Sequence, residues 1–447
     1  MLTRKQNGVM IISLPRKQYD YRRIKYMTKH SSKFSKDFIL MAIGQIISLF
    51  GNQSLRFAFP LYLLNQTGSA ALFGTISAIS FIPMILLFPI GGIIADRVNK
   101  RNIMVILDFS TSALVFVFSI TAKDYNIVPL IAAAMLFLYA IQGAYQPAVQ
   151  ASIPVLVDNE HMMAANSIID MISSLANMLG PVLGGLLYAS VGLSPILHIS
   201  AICFFASAVM EIFIHIPFRK RKHTGSMVVS GVRDMKESFH FLIRKKPMLL
   251  KIAISYGTIS LLLCSLFNIA LPVLFTQELG FSEDVANALY GYSQGAIAVG
   301  SIVGGVLAGI LSRRLKAHTI PYNIIGCALC ILISGIALKM LPSAMGIFVV
   351  LTVSCSVLMI LSTLFQIQMM SYVQILTPDD LIGKVISCII CICMCSNPIG
   401  QFIYGFVFEH IGKYSYLPFC FASVIVIIIG LFSHKLFMTV ENELKQS

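Results

Sequence analysis

Residues 91–101 read GGIIADRVNKR, and residues 304–316 read GGVLAGILSRRLK. Each is a short basic turn between two long apolar stretches, and the second repeats the first 213 residues later with Gly309 where the first has Asp96. Such a unit, met twice in an apolar chain, describes a duplicated membrane protein. Working outward from the two turns, apolar runs of at least about 18 residues fall near 39–64, 71–95, 102–122, 127–149, 164–189, 196–217, 249–275, 287–311, 319–340, 346–370, 385–408 and 416–438. These runs are too long for tilted β-strands and lack alternating polarity, so they are expected to be twelve transmembrane helices.

Composition agrees. With 57% hydrophobic and 12% charged residues, against about 25% charged in a soluble domain, the chain cannot cover a water-facing surface. Lys and Arg alternate in space: all except Arg56, Lys123, Lys339 and Lys413 fall in the N-terminal tail, the C-terminal tail or every second connection. Cationic loops stay inside, so both termini are expected in the cytoplasm. The net charge of +14 sits beside the membrane, where anionic headgroups supply the counter-charge. Membrane lipid rather than nucleic acid is therefore the expected partner of these bases. The tail 1–36 lacks the apolar core of a signal peptide.

The chain divides into the basic tail 1–36, a six-helix bundle 37–218, a connector 219–247, a second six-helix bundle 248–438 and a tail 439–447. Within the connector, Val232, Met235, Phe239 and Leu242 share one helical side, as in an amphipathic helix lying on a leaflet. At an offset of 220 the halves match at Gln146 and Gln366, Gly180 and Gly400, Gly185 and Gly405, and Gly192 and Gly412. Parallel repeats of this kind place a solute site near the midplane between them, and the halves rock around it. Cys388, Cys391 and Cys395 share a helical face, but with no His beside them they are expected to pack rather than to bind metal.

The basic turn resembles the signature of the major facilitator superfamily: Gly92, Asp96, Arg97, Lys100 and Arg101 stand at its positions between helices 2 and 3. NMLGPVLGG at 177–185, with Gly180, Pro181, Gly184 and Gly185, resembles the Gly-Pro signature of the drug–proton antiporter branches. The run 145–185 and LTPDDLIGKVIS at 376–387 are similar to macrolide-efflux exporters, over residues 38–438 in all. One position departs: Tyr139 stands three residues before Gln142-Gly143, where many drug antiporters carry an Arg.

The resemblance implies an all-α polytopic protein with two pseudo-symmetric six-helix bundles, the major facilitator fold. It implies a monomer in the cell membrane, with neither enzymatic activity nor cofactor, that exports a bulky amphipathic small molecule in exchange for protons. Two alternatives remain: a facilitator or importer of a lipid or siderophore-like solute, and, more remotely, a receptor that transports nothing. The resemblance also implies that Asp96 caps the N-terminus of helix 11 and holds the cytoplasmic side closed, with Gly92 allowing close helix approach.

Acids inside a bilayer are costly and usually functional. Asp108, Asp170 and Glu211 each lie six residues from the predicted inner end of their spans, roughly 9 Å deep at about 1.5 Å per residue. They form either an inner salt-bridge layer with Arg97, Arg101 or connector bases, or the proton carrier. Asp170 is favoured as carrier because Asn166, Asp170, Ser173, Asn177, Pro181 and Gly184 make one polar and small stripe. In span 1, Gln45, Asn52 and Arg56 share a direction and are candidates for the cavity wall; Arg56 either snorkels to the outer headgroups or meets a ligand. Tyr139, Gln142 and Gln146 in span 4, Asn177 in span 5 and Gln366 in span 10 complete the candidate lining.

Overall fold

The computed structural model describes residues 34–121, 127–158, 161–217, 243–244, 247–311, 317–377 and 382–446. Among them twelve helices are long and apolar enough to cross a membrane. They are α1 (Lys36–Thr67), α2 (Ala70–Arg97), α3 (Lys100–Thr121), α4 (Ile127–Leu156), α5 (Met162–Val191), α6 (Leu193–Ile212), α7 (Pro247–Val273), α8 (Glu283–Leu311), α9 (Ile320–Met340), α10 (Ala344–Leu376), α11 (Ile382–Ile411) and α12 (Tyr416–Gln446). Each expected span finds its helix. Helices α4 and α10 run six or more residues past the apolar runs that announce them, because their last turns carry polar residues such as Gln150 and Gln374 that end an apolar run without ending a helix; α4 continues even through Pro154. The expected amphipathic helix of the connector lies outside the described residues.

Since α1 begins and α12 ends on one side, that side is called the basal face and the other the distal face. Four glycines with positive φ, Gly68, Gly192, Gly280 and Gly412, close the distal turns α1/α2, α5/α6, α7/α8 and α11/α12. Only a residue without Cβ enters that conformation cheaply. Adding six to the helix numbers converts the first pair of turns into the second, so the duplication extends to the backbone.

Packing follows the same rule. In the first half α1 lies on α5 and α6, α2 on α4, and α3 on α6; in the second α7 lies on α11 and α12, α8 on α10, and α9 on α12. The halves meet along two seams, α2 with α11 and α5 with α8, which the same exchange interconverts, as a pseudo-twofold axis requires. Small residues allow the close crossings. Ser200 and Ser207 of α6 donate to the backbone oxygens of Gly51 and Gly44 in α1, and a Cβ on Gly91 would stand 2.7 Å from Ala144 Cα of α4. Between lipid-like tails there is no hydrophobic drive for helix association, so such contacts carry it.

Candidate functional site

The two seams are shut distally and parted basally. A Cβ on Gly74 would stand 2.8 Å from Gly405 Cα across the α2–α11 seam, and one on Gly185 would stand 2.7 Å from Gly291 Cα across α5–α8. The hydrogen bonds seen between the halves are also distal. Asn65 donates to Glu283 Oε1 at 3.3 Å and Asn287 Oδ1 at 3.1 Å. Ser69 Oγ and the Ala71 N–H donate to Glu409 Oε2 at 3.1 and 3.0 Å, which places a carboxylate of α11 on the N-terminus of α2, the favourable end of its dipole. Toward the basal face, Gly92, Gly305 and Gly309 have open space where a Cβ would go.

Between the halves, below the distal seal, lies a cavity of about 350 Å³. Its wall includes Gln53 and Arg56 of α1, Asn177 of α5, Asn268 of α7, Gln294 of α8 and Gln401 of α11, interleaved with the rings of Phe57, Phe81, Tyr139 and Tyr290. Gln53 and Asn177 continue into a chamber with Gln142, Gln146 and Ser173, and Phe81 into one with Gln366, Met370 and Asn397. Met394 borders both of those. The result is one vestibule at the pseudo-twofold axis, lined by both halves.

Arg56 is the cation of this vestibule. Its guanidinium carbon lies 4.0 Å from the centroid of Tyr139 and 6.0 Å from that of Phe81, and Nη1 donates to Gln142 Oε1 at 2.6 Å. A cation mid-bilayer costs about 2.5–3.5 kcal/mol. A desolvated cation–π contact of about 2 kcal/mol and a hydrogen bond to a charged group of about 1.5–3 kcal/mol offset that. Arg56 therefore stays inside the vestibule and does not snorkel outward. Tyr139, which stands on span 4 where the resemblance leads one to expect an Arg, instead carries on its ring a guanidinium that comes from α1.

A second polar group lies behind α1, within the first bundle. Gln45 Nε2 donates to Tyr145 Oη, and Tyr145 Oη donates to Glu211 Oε1, both at 2.7 Å. Ser48, one turn along the same face of α1, donates to Asp108 Oδ1 at 3.0 Å. Glu211 and Asp108 are 0% and 2% exposed, and Asp108 Oδ2, Glu211 Oε2 and Gln45 Oε1 find no hydrogen-bond partner. Among the described residues neither acid has a basic partner; the salt bridge seen there joins His215 to Asp37. Among the described residues a neutral hydroxyl-and-amide shell surrounds the two acids; the connector bases of the expected salt-bridge layer, apart from Arg244, lie outside the described residues.

Six of the eight expected lining residues, Arg56, Tyr139, Gln142, Gln146, Asn177 and Gln366, border the vestibule. Gln45 does not: it is fully buried in the bundle core. A straight stripe on a helix that crosses its neighbours obliquely meets the bundle core at one depth and the central cavity at another. Asn52 is half-buried outside these walls, with its Oδ1 unpartnered.

Asp170 shares the predicted depth of Asp108 and Glu211 but stands apart from them, exposed one turn basal of Ser173. Pro181 lines the cavity, Gly180 packs on Gln53, Gly184 on Ser54 and Gly185 on Gly291. The close approach expected of Gly92 is made instead by its neighbour Gly91, about 100° round the helix. Arg97 is exposed, Lys100 half-buried, and Arg101 donates to the Ile212 carbonyl at the end of α6 at 3.4 Å. The Asp96 side chain lies outside the described residues. Sequence reasoning misses Gln53, Asn268, Gln294 and Gln401; each is an amide in an apolar run, a signal available without a structure.

Two pseudo-symmetric six-helix halves around a central cavity, sealed on one membrane face, define a polytopic membrane transporter. Residues 41–395 match the Major Facilitator Superfamily, and the chain belongs to that superfamily. It is 25% identical over 415 residues to macrolide efflux protein A of Streptococcus pyogenes, covering 91% of this chain and 96% of that protein. It is 21% identical over 403 residues to the multidrug efflux pump Tap of Mycobacterium tuberculosis (strain CDC 1551 / Oshkosh), covering 89% and 92%. In fold it is similar to a mutant peptide transporter solved in complex with alafosfalin, with a TM-score of 0.70 at 13% identity over 95% of this chain and 99% of that one. An inward-facing bacterial homolog of the human lysosomal transporter Spinster gives 0.66 at 13% identity over 92% and 98%.

Proposed function

We propose that this transporter is a secondary active exporter of the cell membrane, with both termini cytoplasmic, that carries a bulky amphipathic small molecule outward by alternating access in exchange for protons. The observation that carries the reading is the pair of symmetry-related seams, shut distally and parted basally around one vestibule. With the basal face in the cytoplasm, a reading the Lys and Arg placement supports, this is the loading state of an exporter. Rings and flexible Met side chains beside lone amides suit an amphipathic ligand. The outward direction is supported by the efflux naming of the relatives.

The proton is assigned to Asp108 and Glu211 rather than to Asp170. Two carboxyl groups shut inside a bundle without a cation need another source of positive charge, and a proton is the smallest. Asp108 meets α1 at Ser48 and Glu211 is linked to Gln45 of α1 through Tyr145, while Gln53 and Arg56 of the same helix face the vestibule. A change of protonation on one side of α1 thus reaches the ligand on the other. In the outward-open state Gly92, Asp96, Arg97, Lys100 and Arg101 close the basal face. Residues 219–247 connect the two halves in sequence, and the chain works as a monomer.

The test is uptake of a panel of amphipathic fluorescent dyes of differing charge by inverted vesicles with an imposed proton gradient. Accumulation that collapses with a protonophore, vanishes in the Asp108→Asn, Glu211→Gln double variant and survives in Asp170→Asn is the expected result. Gradient-independent equilibration would instead identify a facilitator. Loss in Asp170→Asn alone would return the carrier role to that residue.

A further inference from the structure

The vestibule has an unbalanced charge. Of the side chains that line its three connected parts, Arg56 is the charged one. No carboxylate among the described residues comes within 4.0 Å of its guanidinium nitrogens. Its contacts are neutral: the Tyr139 ring lies over the guanidinium plane, and Gln142 accepts one of its five N–H donors. The nearby acids are committed elsewhere or stand off the wall. Asp108 and Glu211 are buried behind α1 with Ser48 and Tyr145, and Asp170 is exposed basal of Ser173.

Neutral partners hold a guanidinium in place without cancelling its charge. In a low-dielectric site such a group attracts an anion and repels a cation, and its planar fork matches a carboxylate, sulfonate or phosphate. The rest of the wall offers amides and, close to Arg56, the rings of Phe57, Phe81 and Tyr290. The volume of about 350 Å³ suits a drug-sized body rather than a lone inorganic ion.

We infer that the transported molecule carries an acidic group, which docks on the Arg56 guanidinium while its apolar body lies against the ring-lined wall. The inference rests on the transporter reading and narrows it: the substrate is an amphipathic organic anion or zwitterion, and a purely cationic amphiphile is disfavoured. Tyr139 and Gln142 act as positioning residues, because they fix the guanidinium facing into the vestibule.

A matched pair of dyes tests this: rhodamine 19, which has a free carboxylate, and rhodamine 6G, its cationic ethyl ester. Binding is read by fluorescence anisotropy on the full chain in lipid nanodiscs, with taurocholate as an unrelated acidic competitor, and transport is read separately in proteoliposomes. The acid is expected to bind about 10-fold tighter than the ester, the worth of one hydrogen bond to a charged group. Arg56→Gln is expected to abolish the preference by weakening the acid and, with the repulsion gone, holding or strengthening the cationic ester; Arg56→Lys is expected to keep part of the preference, since Lys retains the charge but not the fork.

Three results would overturn the inference: an ester bound as tightly as the acid, a ratio unmoved by Arg56→Gln, or a folded wild-type chain that binds neither rhodamine 19 nor taurocholate. If Arg56→Gln fails to fold, the acid-to-ester ratio of the wild type and of Arg56→Lys decides alone. Acid-selective binding without transport would sink the exporter reading and leave the ligand class standing.

Discussion

The distal and basal ends of the same two helix pairs are built from the same kind of residue and behave in opposite ways. Distally, Gly74 and Gly405, and Gly185 and Gly291, bring backbones to where a single Cβ would collide at 2.7–2.8 Å. Basally, Gly92, Gly305 and Gly309 face open space. An acid-on-helix clasp sits on the shut end as well: Glu409 of α11 on the N-terminus of α2, the chemistry the family signature implies for Asp96 on α11 at the other end. In the proposed cycle, with Asp96 as the basal clasp and each bundle moving as a body, the seam is shut at either end but not at both, and alternation follows from where the glycines lie.

The largest expected effect comes from wedging the shut end. Gly185→Val meets the Gly291 backbone, and overpacking of about 1–3 kcal/mol lowers the ratio of distally closed to distally open molecules by roughly 5- to 150-fold. Transport should fall accordingly, and an engineered distal cysteine in the vestibule should become reactive to impermeant thiol reagents. An unaltered rate would show that this contact is not part of the cycle.

Glu409→Gln keeps the shape of the clasp but removes its charge. Losing a dipole contact of about 0.3–1 kcal/mol should raise distal cysteine labelling by roughly 2- to 5-fold, and the comparison weakens if basal labelling rises instead. At the open end, Asp96→Ala should slow basal closure and raise basal accessibility by a similar factor. The smallest effect belongs to Gly309→Ala. Open space and helix propensity favour Ala by roughly 0.5–1 kcal/mol, so thermal stability should hold or rise and transport change by less than about 2-fold; a marked loss would place a close contact there in another state.

Much of this architecture is legible along the chain, because periodicity and turn chemistry are local. The twelve spans, the repeated glycines and the match of Gly192 with Gly412 depend on neighbours in sequence, and they become helices, distal turns and a twofold. What fails to transfer is azimuth. Depth puts Asp108, Asp170 and Glu211 on one level, but depth does not say which way each helix turns its side chain, so two of them join α1 and the third faces outward. The same gap moves Gln45 from the cavity to the core and hands the close approach of Gly92 to Gly91. Arg56 is ambiguous in sequence for a different reason: its holder, Tyr139, comes from another helix and is visible there only as a missing arginine.

The most direct measurement is a pair of electron–electron distances across the α5–α8 seam. Spin labels at Ser190 and Val285 report the distal end, and labels at Asn166 and Ile310 the basal end, all four being exposed. In nanodiscs, across a pH series with and without rhodamine 19, alternating access requires the two distances to change in opposite senses, the distal one lengthening as the basal one shortens. Two ends that open together, or a single fixed distance at each under every condition, would contradict it.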